Sequence, residues 1–295
     1  MTYSQNRRSL LLAAAMLPVA RAVTARAAEG PQPTSTEAQL ATLEKSSGGR
    51  LGLFALNTAT GEQTRYRADE RFPFCSTFKV ILAGAILTRS TRVPGFMQQC
   101  VNYAQSELVH YSPVTAEHVG DGMTVAELCR AAIQYSDNTS ANLLMKMLGG
   151  PAAVTSFARS IGNSEFRLDR WETELNSVVP GDQRDTSTPA AMARSLQTLA
   201  LGDTLPPPQR AQLLDWLRGN KMGAKRIGAA VPADWQIGDK TGTGDYGTAN
   251  DIAVLWPPAR EPVVLAIYHT QLAADAKSRD DVIAVAARIV VNALG

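Results

Sequence analysis

Cys75-Ser76-Thr77-Phe78-Lys79 runs directly into Val80-Ile81-Leu82-Ala83-Gly84-Ala85-Ile86-Leu87. A serine and a lysine three positions apart open an almost wholly apolar run. Read as a helix, the run is apolar on every side, which suits a helix buried in the middle of a domain. Positions i and i+3 share a helix face, so the spacing predicts the Lys79 ammonium within reach of the Ser76 hydroxyl. A hydroxyl beside a local base has the composition of an activated nucleophile. Ser-x-x-Lys also arises by chance about once in a chain of this length. A capping serine followed by a surface lysine is the structural alternative. Cys75 lies four positions from Lys79, so spacing alone leaves a cysteine nucleophile open. The three cysteines, Cys75, Cys100 and Cys129, show no C-x-x-C spacing and cannot all pair. They are expected to be buried structural thiols.

Outward from this helix the pattern changes character twice. On the N-terminal side, residues 34–45 read as an amphipathic helix. Residues 51–57 and 63–67 read as two strands joined by the turn Thr58-Ala59-Thr60-Gly61. On the C-terminal side come helices only. Thr124 and Glu127 form a capping box, residues 138–148 read as a helix, and Pro151 opens another. Periodicity then disappears between Ile161 and Thr188, and residues 167–185 form a polar, irregular stretch of the kind that is often functional. Residues 189–199 and 207–217 are two more helices. Three strands follow, at 235–241, 252–256 and 263–270, and then a last helix at 280–294. Short turns make such strands antiparallel. The expected fold is therefore α/β of the α+β type, an antiparallel sheet built from both chain ends and flanked by terminal helices. An all-helical lobe (about 75–218) is inserted into the α/β lobe (about 29–74 and 219–295).

The chain has 295 residues, 45% hydrophobic and 19% charged, an ordinary soluble composition. Its net charge of +2 belongs to the first 28 residues, which hold four arginines and no acid; the remainder has 25 basic and 27 acidic residues. Nothing in this balance points to nucleic acid. The leader reads as an export signal. Arg7-Arg8 precede an apolar stretch at 10–20 that is too short to span a bilayer, and Ala25-Arg26-Ala27 is a cleavage signature. Asn6-Arg7-Arg8-Ser9-Leu10-Leu11 resembles a twin-arginine signal, with ordinary Sec export as the alternative. The expected mature protein, residues 29–295, has no membrane anchor and works in the periplasm or outside the cell.

Three further stretches carry chemistry. Ser136-Asp137-Asn138 lies between two helices and is rich in capping residues. Lys240-Thr241-Gly242-Thr243-Gly244 ends a strand, where a lysine could meet an anion and glycines admit a ligand to the backbone. Arg170-Trp171-Glu172-Thr173-Glu174-Leu175-Asn176 sits in the irregular stretch. In this order, Ser-x-x-Lys, Ser-Asp-Asn, Glu-x-x-x-Asn and Lys-Thr-Gly resemble the motif set of class A serine β-lactamases. Leu108 to Thr115 and Pro180 to Thr186 are similar to that family between the motifs, and the resemblance covers essentially the mature chain.

The resemblance implies a transpeptidase-like fold and a β-lactam substrate. It makes Ser76 the nucleophile, Lys79 its base or electrostatic activator, and Glu172 the activator of a hydrolytic water that Asn176 helps to hold. Whether Lys79 or Glu172 activates Ser76 during acylation stays open. The backbone N–H groups of Ser76 and Thr243 are the implied oxyanion hole. Ser136 is the implied proton relay to the leaving nitrogen, and Asn138 the partner of the substrate's acylamino group. Lys240, Thr241, Gly242 and Thr243 are the implied carboxylate site, with Arg226 as a second cation and Tyr111 stacking at the rim. Arg170 and Asp185 resemble the ion pair that closes the loop around Glu172. No cofactor and no metal is implied, and the scattered His110, His118 and His269 have no ligand spacing. A monomer is expected.

Two departures bear on substrate range. Some relatives tie the cysteine beside the nucleophile to another just after Lys-Thr-Gly; here Gly244 stands at that place, which removes the disulfide and weakens a carbapenemase reading. Thr243 and Asp245 are similar to those of cephalosporin-hydrolysing relatives. The rival readings are a penicillin-binding transpeptidase or carboxypeptidase and a non-catalytic β-lactam sensor. Both share the acylation motifs; neither is expected to carry Glu172 and Asn176 at this spacing.

Overall fold

Leu51 to Leu56 are buried without a break along strand β1 (Arg50–Asn57). A strand buried on both faces must have cover on both. The computed structural model, which describes residues 35–294, shows what supplies it; the expected export signal lies outside those residues. β1 pairs on one side with β2 (Gln63–Tyr66). On the other side it pairs with the last strand, β5 (Val263–Thr270), in a register that sets Phe54 opposite Ala266. β4 (Thr248–Trp256) and β3 (Gln236–Gly244) complete an antiparallel sheet of order β2-β1-β5-β4-β3. Its strands come from both ends of the described chain, as the sequence predicts.

Helices α1 (Thr36–Ser47) and α8 (Asp280–Ala293) pack against each other and cover one face, burying Leu40, Leu53, Leu265, Ile267, Ile283 and Val290. α6 (Pro189–Ala200) covers the opposite face. Its core, including Phe54, Ala266 and Leu196, continues into the helical region. At the centre of that region is α2 (Lys79–Ser90), in which every residue from Lys79 to Leu87 is buried. It contacts α3 (Val125–Gln134), α4 (Asn138–Leu148), α5 (Pro151–Ser160), α6 and α7 (Pro207–Arg218). Side chains such as Ile81, Leu82 and Ile86 each contribute roughly 1.5–3 kcal/mol by leaving water. The local start signals work as read. Glu127 N donates to Thr124 Oγ1 at 3.2 Å while Thr124 N donates to Glu127 Oε2 at 2.8 Å, and Pro151 opens α5.

Three expectations are corrected. Ser76 is not inside the α-helix: Cys75–Phe78 is a 3-10 turn, and α2 begins at Lys79. β3 does not stop at Thr241, and β4 begins at Thr248, four residues before the expected start. Asn250 and Asp251 hide that start because they break the apolar pattern, yet both are fully buried. Each is held by a hydrogen bond at one side-chain atom: Asn250 Nδ2 donates to Pro73 O at 2.8 Å, and Asp251 Oδ2 accepts from Ile227 N at 3.1 Å. Finally, Cys75 and Cys129 are buried as expected, but Cys100 is exposed. Among the described residues no helix is long and apolar enough to cross a membrane.

Candidate active site

The turn before α2 aims the Ser76 hydroxyl into a cavity of about 530 Å³ shared with Asn138, Asn176, Thr241, Gly242 and Thr243. That hydroxyl donates to Glu172 Oε1 at 3.5 Å. The expected Lys79 contact is replaced by a different arrangement. The Lys79 ammonium pairs with Glu172 Oε1 at 3.0 Å and donates to Ser136 O at 2.9 Å and Asn138 Oδ1 at 2.7 Å. An ammonium has three protons, so Lys79 is saturated and ties the start of α2 to the long loop and to the α3–α4 junction. Its side chain and that of Glu172 are both 0% exposed. Burial pushes the Lys79 pKa below the ordinary lysine range, and the Glu172 charge opposes that shift.

Glu172 is held at both ends. Asn176 Nδ2 donates to its Oε2 at 2.6 Å. Asn142, on α4, accepts from Glu172 N at 2.9 Å and donates to Glu172 O at 2.8 Å. Asn142 was not anticipated; its one sequence signal is an asparagine in the interior of a helix, where propensity disfavours it. Farther out, Asp185 Oδ1 accepts from Asp169 N and Arg170 N at 2.8 and 3.0 Å, and Oδ2 takes Arg170 Nε at 2.5 Å. The irregular segment is thus pinned across its base, with one 3-10 turn, Glu174–Asn176, behind Glu172.

Ser136 has a left-handed backbone, φ 58°, between α3 and α4. Its hydroxyl accepts from Lys240 Nζ at 3.1 Å, and Lys240 also donates to Thr241 O at 2.8 Å. The Lys240 pKa is pushed down to about 7, first by burial and then by the Lys79 charge. Asp137 faces away from this chemistry. It caps α4 through Ser140 N at 2.8 Å and anchors Val114 N and Thr115 N at 3.0 and 2.9 Å. Asn138 also donates to His110 O at 2.9 Å, which fixes the segment carrying Tyr111. Tyr111 is 43% exposed at the rim, where its hydroxyl meets Met222 Sδ at 3.7 Å.

β3 comes so close to Ser76 that a Cβ on Gly242 would stand 2.7 Å from Phe74 O and 3.2 Å from Ser76 N. Glycine here lets the strand backbone lie against the turn that carries the hydroxyl. Arg226 is the residue the structure places differently. It is buried and does not line the cavity. Its guanidinium donates to Gly242 O at 2.6 Å, Asn250 O at 2.7 Å and Thr243 Oγ1 at 2.7 Å, and pairs with Asp280 at 2.8 Å. It holds Thr243 from behind rather than offering a free cation.

Cys75 is buried behind the turn, unpaired, and burial pushes its thiol pKa up, so it stays a neutral thiol and not a nucleophilic thiolate. His269 is buried against Ser47 Oγ at 3.1 Å, His118 is exposed, and His110 is exposed at the cavity rim. Among the described residues no three His, Cys, Asp or Glu side chains are grouped to hold a metal ion.

The arrangement offers a hydroxyl beside a buried carboxylate, a second hydroxyl beside a buried cation, and open strand backbone between them. Acyl transfer needs those three parts. Comparison with known proteins agrees. The Beta-lactamase enzyme family model matches residues 35–294. The carbapenem-hydrolyzing β-lactamase KPC of Klebsiella oxytoca is 55% identical over 256 residues, 86% of this chain and 87% of that protein. β-Lactamase CTX-M-8 of Citrobacter amalonaticus is 54% identical over 88% of this chain and 90% of its own. The crystal structure of a β-lactamase from Desulfarculus baarsii superposes with a TM-score of 0.87 at 59% identity, covering 88% of this chain and 97% of that one. An ancestral class A β-lactamase gives a TM-score of 0.85 at 60% identity, over 88% of this chain and 100% of its own. With its fold, its serine-centred site and its relatives in agreement, the chain belongs to the β-lactamase enzyme family, as a serine hydrolase of class A.

Proposed function

We propose that the enzyme opens the ring of penicillins and cephalosporins through an acyl-enzyme on Ser76, freed by a water that Glu172 activates, and that it thereby confers resistance. The observation that carries this reading is the double engagement of Glu172 Oε1, at 3.5 Å from Ser76 Oγ and 3.0 Å from Lys79 Nζ. A carboxylate so placed can take a proton from a water beside the ester carbon. Ser76 attacks, and Ser76 N–H and Thr243 N–H stabilise the oxyanion. Ser136, with Lys240 against its hydroxyl, passes a proton to the leaving nitrogen. Lys240, Thr241 and Thr243 receive the substrate carboxylate, with Arg226 positioning Thr243. Asn138 and Asn176 hold the acylamino side, and Tyr111 covers the rim.

The Asn176 Oδ1 atom is buried without a hydrogen-bond partner among the described residues, which suits a polar group of the substrate or the hydrolytic water. Carbapenem hydrolysis, named for the KPC relative, is disfavoured because Cys75 faces Gly244 and no disulfide braces the Ser76 turn. The enzyme acts as a monomer after export, its first 28 residues being removed.

The test is intact-mass analysis after mixing with benzylpenicillin. The wild-type enzyme should turn over with no lasting adduct, while Glu172→Ala should accumulate one equivalent of adduct on Ser76. A lasting adduct on the wild-type enzyme would instead mark a transpeptidase or a sensor.

A further inference from the structure

Two large apolar side chains stand in the otherwise polar cavity around Ser76. Among the described residues that line it, every one but Tyr111 and Met222 is polar or a glycine. Met222 lies outside the stretches that resemble the family motifs. It is 41% exposed, and its Sδ meets the Tyr111 hydroxyl at 3.7 Å. The two side chains therefore close on each other at the mouth. A thioether is a weak acceptor, so this contact yields to a ligand at small cost. An unbranched methionine side chain also adapts its shape to what it touches.

The backbone beneath each side chain is fixed. Tyr111 O accepts from Asn138 N at 3.1 Å. Met222 N donates to Asn220 Oδ1 at 3.0 Å, and Asn220 Nδ2 donates to Asp239 Oδ2 at 2.5 Å. Lys221 N donates to Gln134 O at 3.0 Å, and Gly223 O accepts from Arg226 N at 2.9 Å. A Cβ on Gly223 would collide with the Asp239 carboxylate, so the chain just after Met222 lies directly on that residue. Asp239 immediately precedes Lys240, and Gln134 lies two residues before Ser136. These anchors place Met222 beside the end of the cavity where Lys240 meets the Ser136 hydroxyl. None of them belongs to the loop that carries Glu172.

We infer that Met222 is a specificity-determining residue, which together with Tyr111 grips the substituent on the ring fused to the β-lactam and favours substrates in which that substituent is flat and apolar. The inference rests on the proposed function, in which Ser136 and Lys240 serve the leaving nitrogen and the substrate carboxylate. In a cephalosporin the variable ring substituent sits on the carbon next to the one bearing that carboxylate. A substrate anchored at Lys240 thus carries this substituent toward Met222, the apolar surface that the neighbouring polar groups cannot supply.

Two cephalosporins with the same thienylacetamido side chain test this, one bearing phenyl and the other methyl on that ring carbon. The ratio of their kcat/KM values isolates the substituent, because every other contact is shared. Met222→Ala should lower the phenyl-to-methyl ratio about fivefold, chiefly through a raised KM for the phenyl compound. Met222→Leu, apolar and close in volume, should keep the ratio within about twofold of wild type. An unchanged ratio in Met222→Ala, including an equal fall for both substrates, would overturn the inference and leave Met222 a structural residue of the mouth. A raised ratio would make the thioether a barrier and overturn it as well, as would a Met222→Leu ratio as low as that of Met222→Ala. If the wild-type enzyme is acylated without turning over, the proposed hydrolysis fails. The same ratio is then read from the rates of adduct formation on Ser76, so the two failures are distinguishable.

Discussion

Lys240 carries a charge that it holds against its surroundings. It is 0% exposed, and burial together with the Lys79 ammonium brings its pKa down to about 7. Below that pH it is a cation able to attract a substrate carboxylate; above it the free enzyme progressively loses that charge. The kcat/KM for benzylpenicillin should therefore fall as pH rises through about 7. Lys240→Arg, whose guanidinium stays charged, should abolish that alkaline limb, so a variant with the wild-type profile would exclude Lys240 as its source. At this scale the sequence was read unevenly. Ser76, Ser136, Glu172 and Lys240 stand in short fixed spacings; Glu172-x-x-x-Asn176 survives as a contact at 2.6 Å, whereas Ser76 meets Glu172 in place of Lys79. Asn142 does not stand in one, because it meets Glu172 only after the loop folds back onto α4. Arg226 was located, but a sequence cannot say on which side of a strand a guanidinium arrives.

The elements that matter most to the site are a strand and a loop. β3 must lie flat against the Ser76 turn, and a Cβ at Gly242 would sit 2.7 Å from a carbonyl oxygen that cannot move away without moving the turn. Gly242→Ala should lower kcat/KM by about a hundredfold, the scale of losing one oxyanion donor, with the thermal midpoint changed much less. Equal losses of activity and stability would argue that the strand merely packs there. The loop depends instead on Asp185, whose carboxylate is 1% exposed and paired with Arg170. The sequence marks this loop by the absence of periodicity, a negative signal that cannot show how three hydrogen bonds to one aspartate close it. The strand ends were missed for a related reason. Asn250 and Asp251 read as loop residues until their partners, Pro73 and Ile227, are known.

On the scale of the whole molecule, the first and last helices of the described residues, α1 and α8, pack together on one face of the sheet, and a histidine is buried beside the end of α1. His269 lies beneath the end of α1, against Ser47, with Arg279, Asp281 and Glu44 as its charged neighbours. Burial, reinforced by Arg279, lowers its pKa from 6.5 to about 4. Between those values the unfolded chain binds a proton that the folded protein refuses, so stability falls as pH drops from 6.5 toward 4. The full shift corresponds to a loss on the order of 3 kcal/mol. Urea midpoints measured from pH 7 to pH 4 should show that decline, and His269→Gln should flatten it. A variant that declines as steeply as wild type would assign acid sensitivity to the carboxylates. That the sheet is antiparallel and draws on both ends of the described chain was legible because short turns between apolar runs leave few ways to pair strands, whereas its order was not read. The burial of His269 was not, because a lone histidine at a strand end has no pattern around it.

Gly244 supplies the last consequence. The position a Cβ would take there is 2.7 Å from Cys75 Sγ, 2.8 Å from Asn176 O and 2.9 Å from Val178 Cγ2. One missing carbon thus sets how closely the loop that carries Glu172 approaches β3. Any residue larger than glycine forces Cys75, Asn176 or Val178 to shift. A single added atom at this wall is therefore enough to change how the Glu172 loop sits against β3.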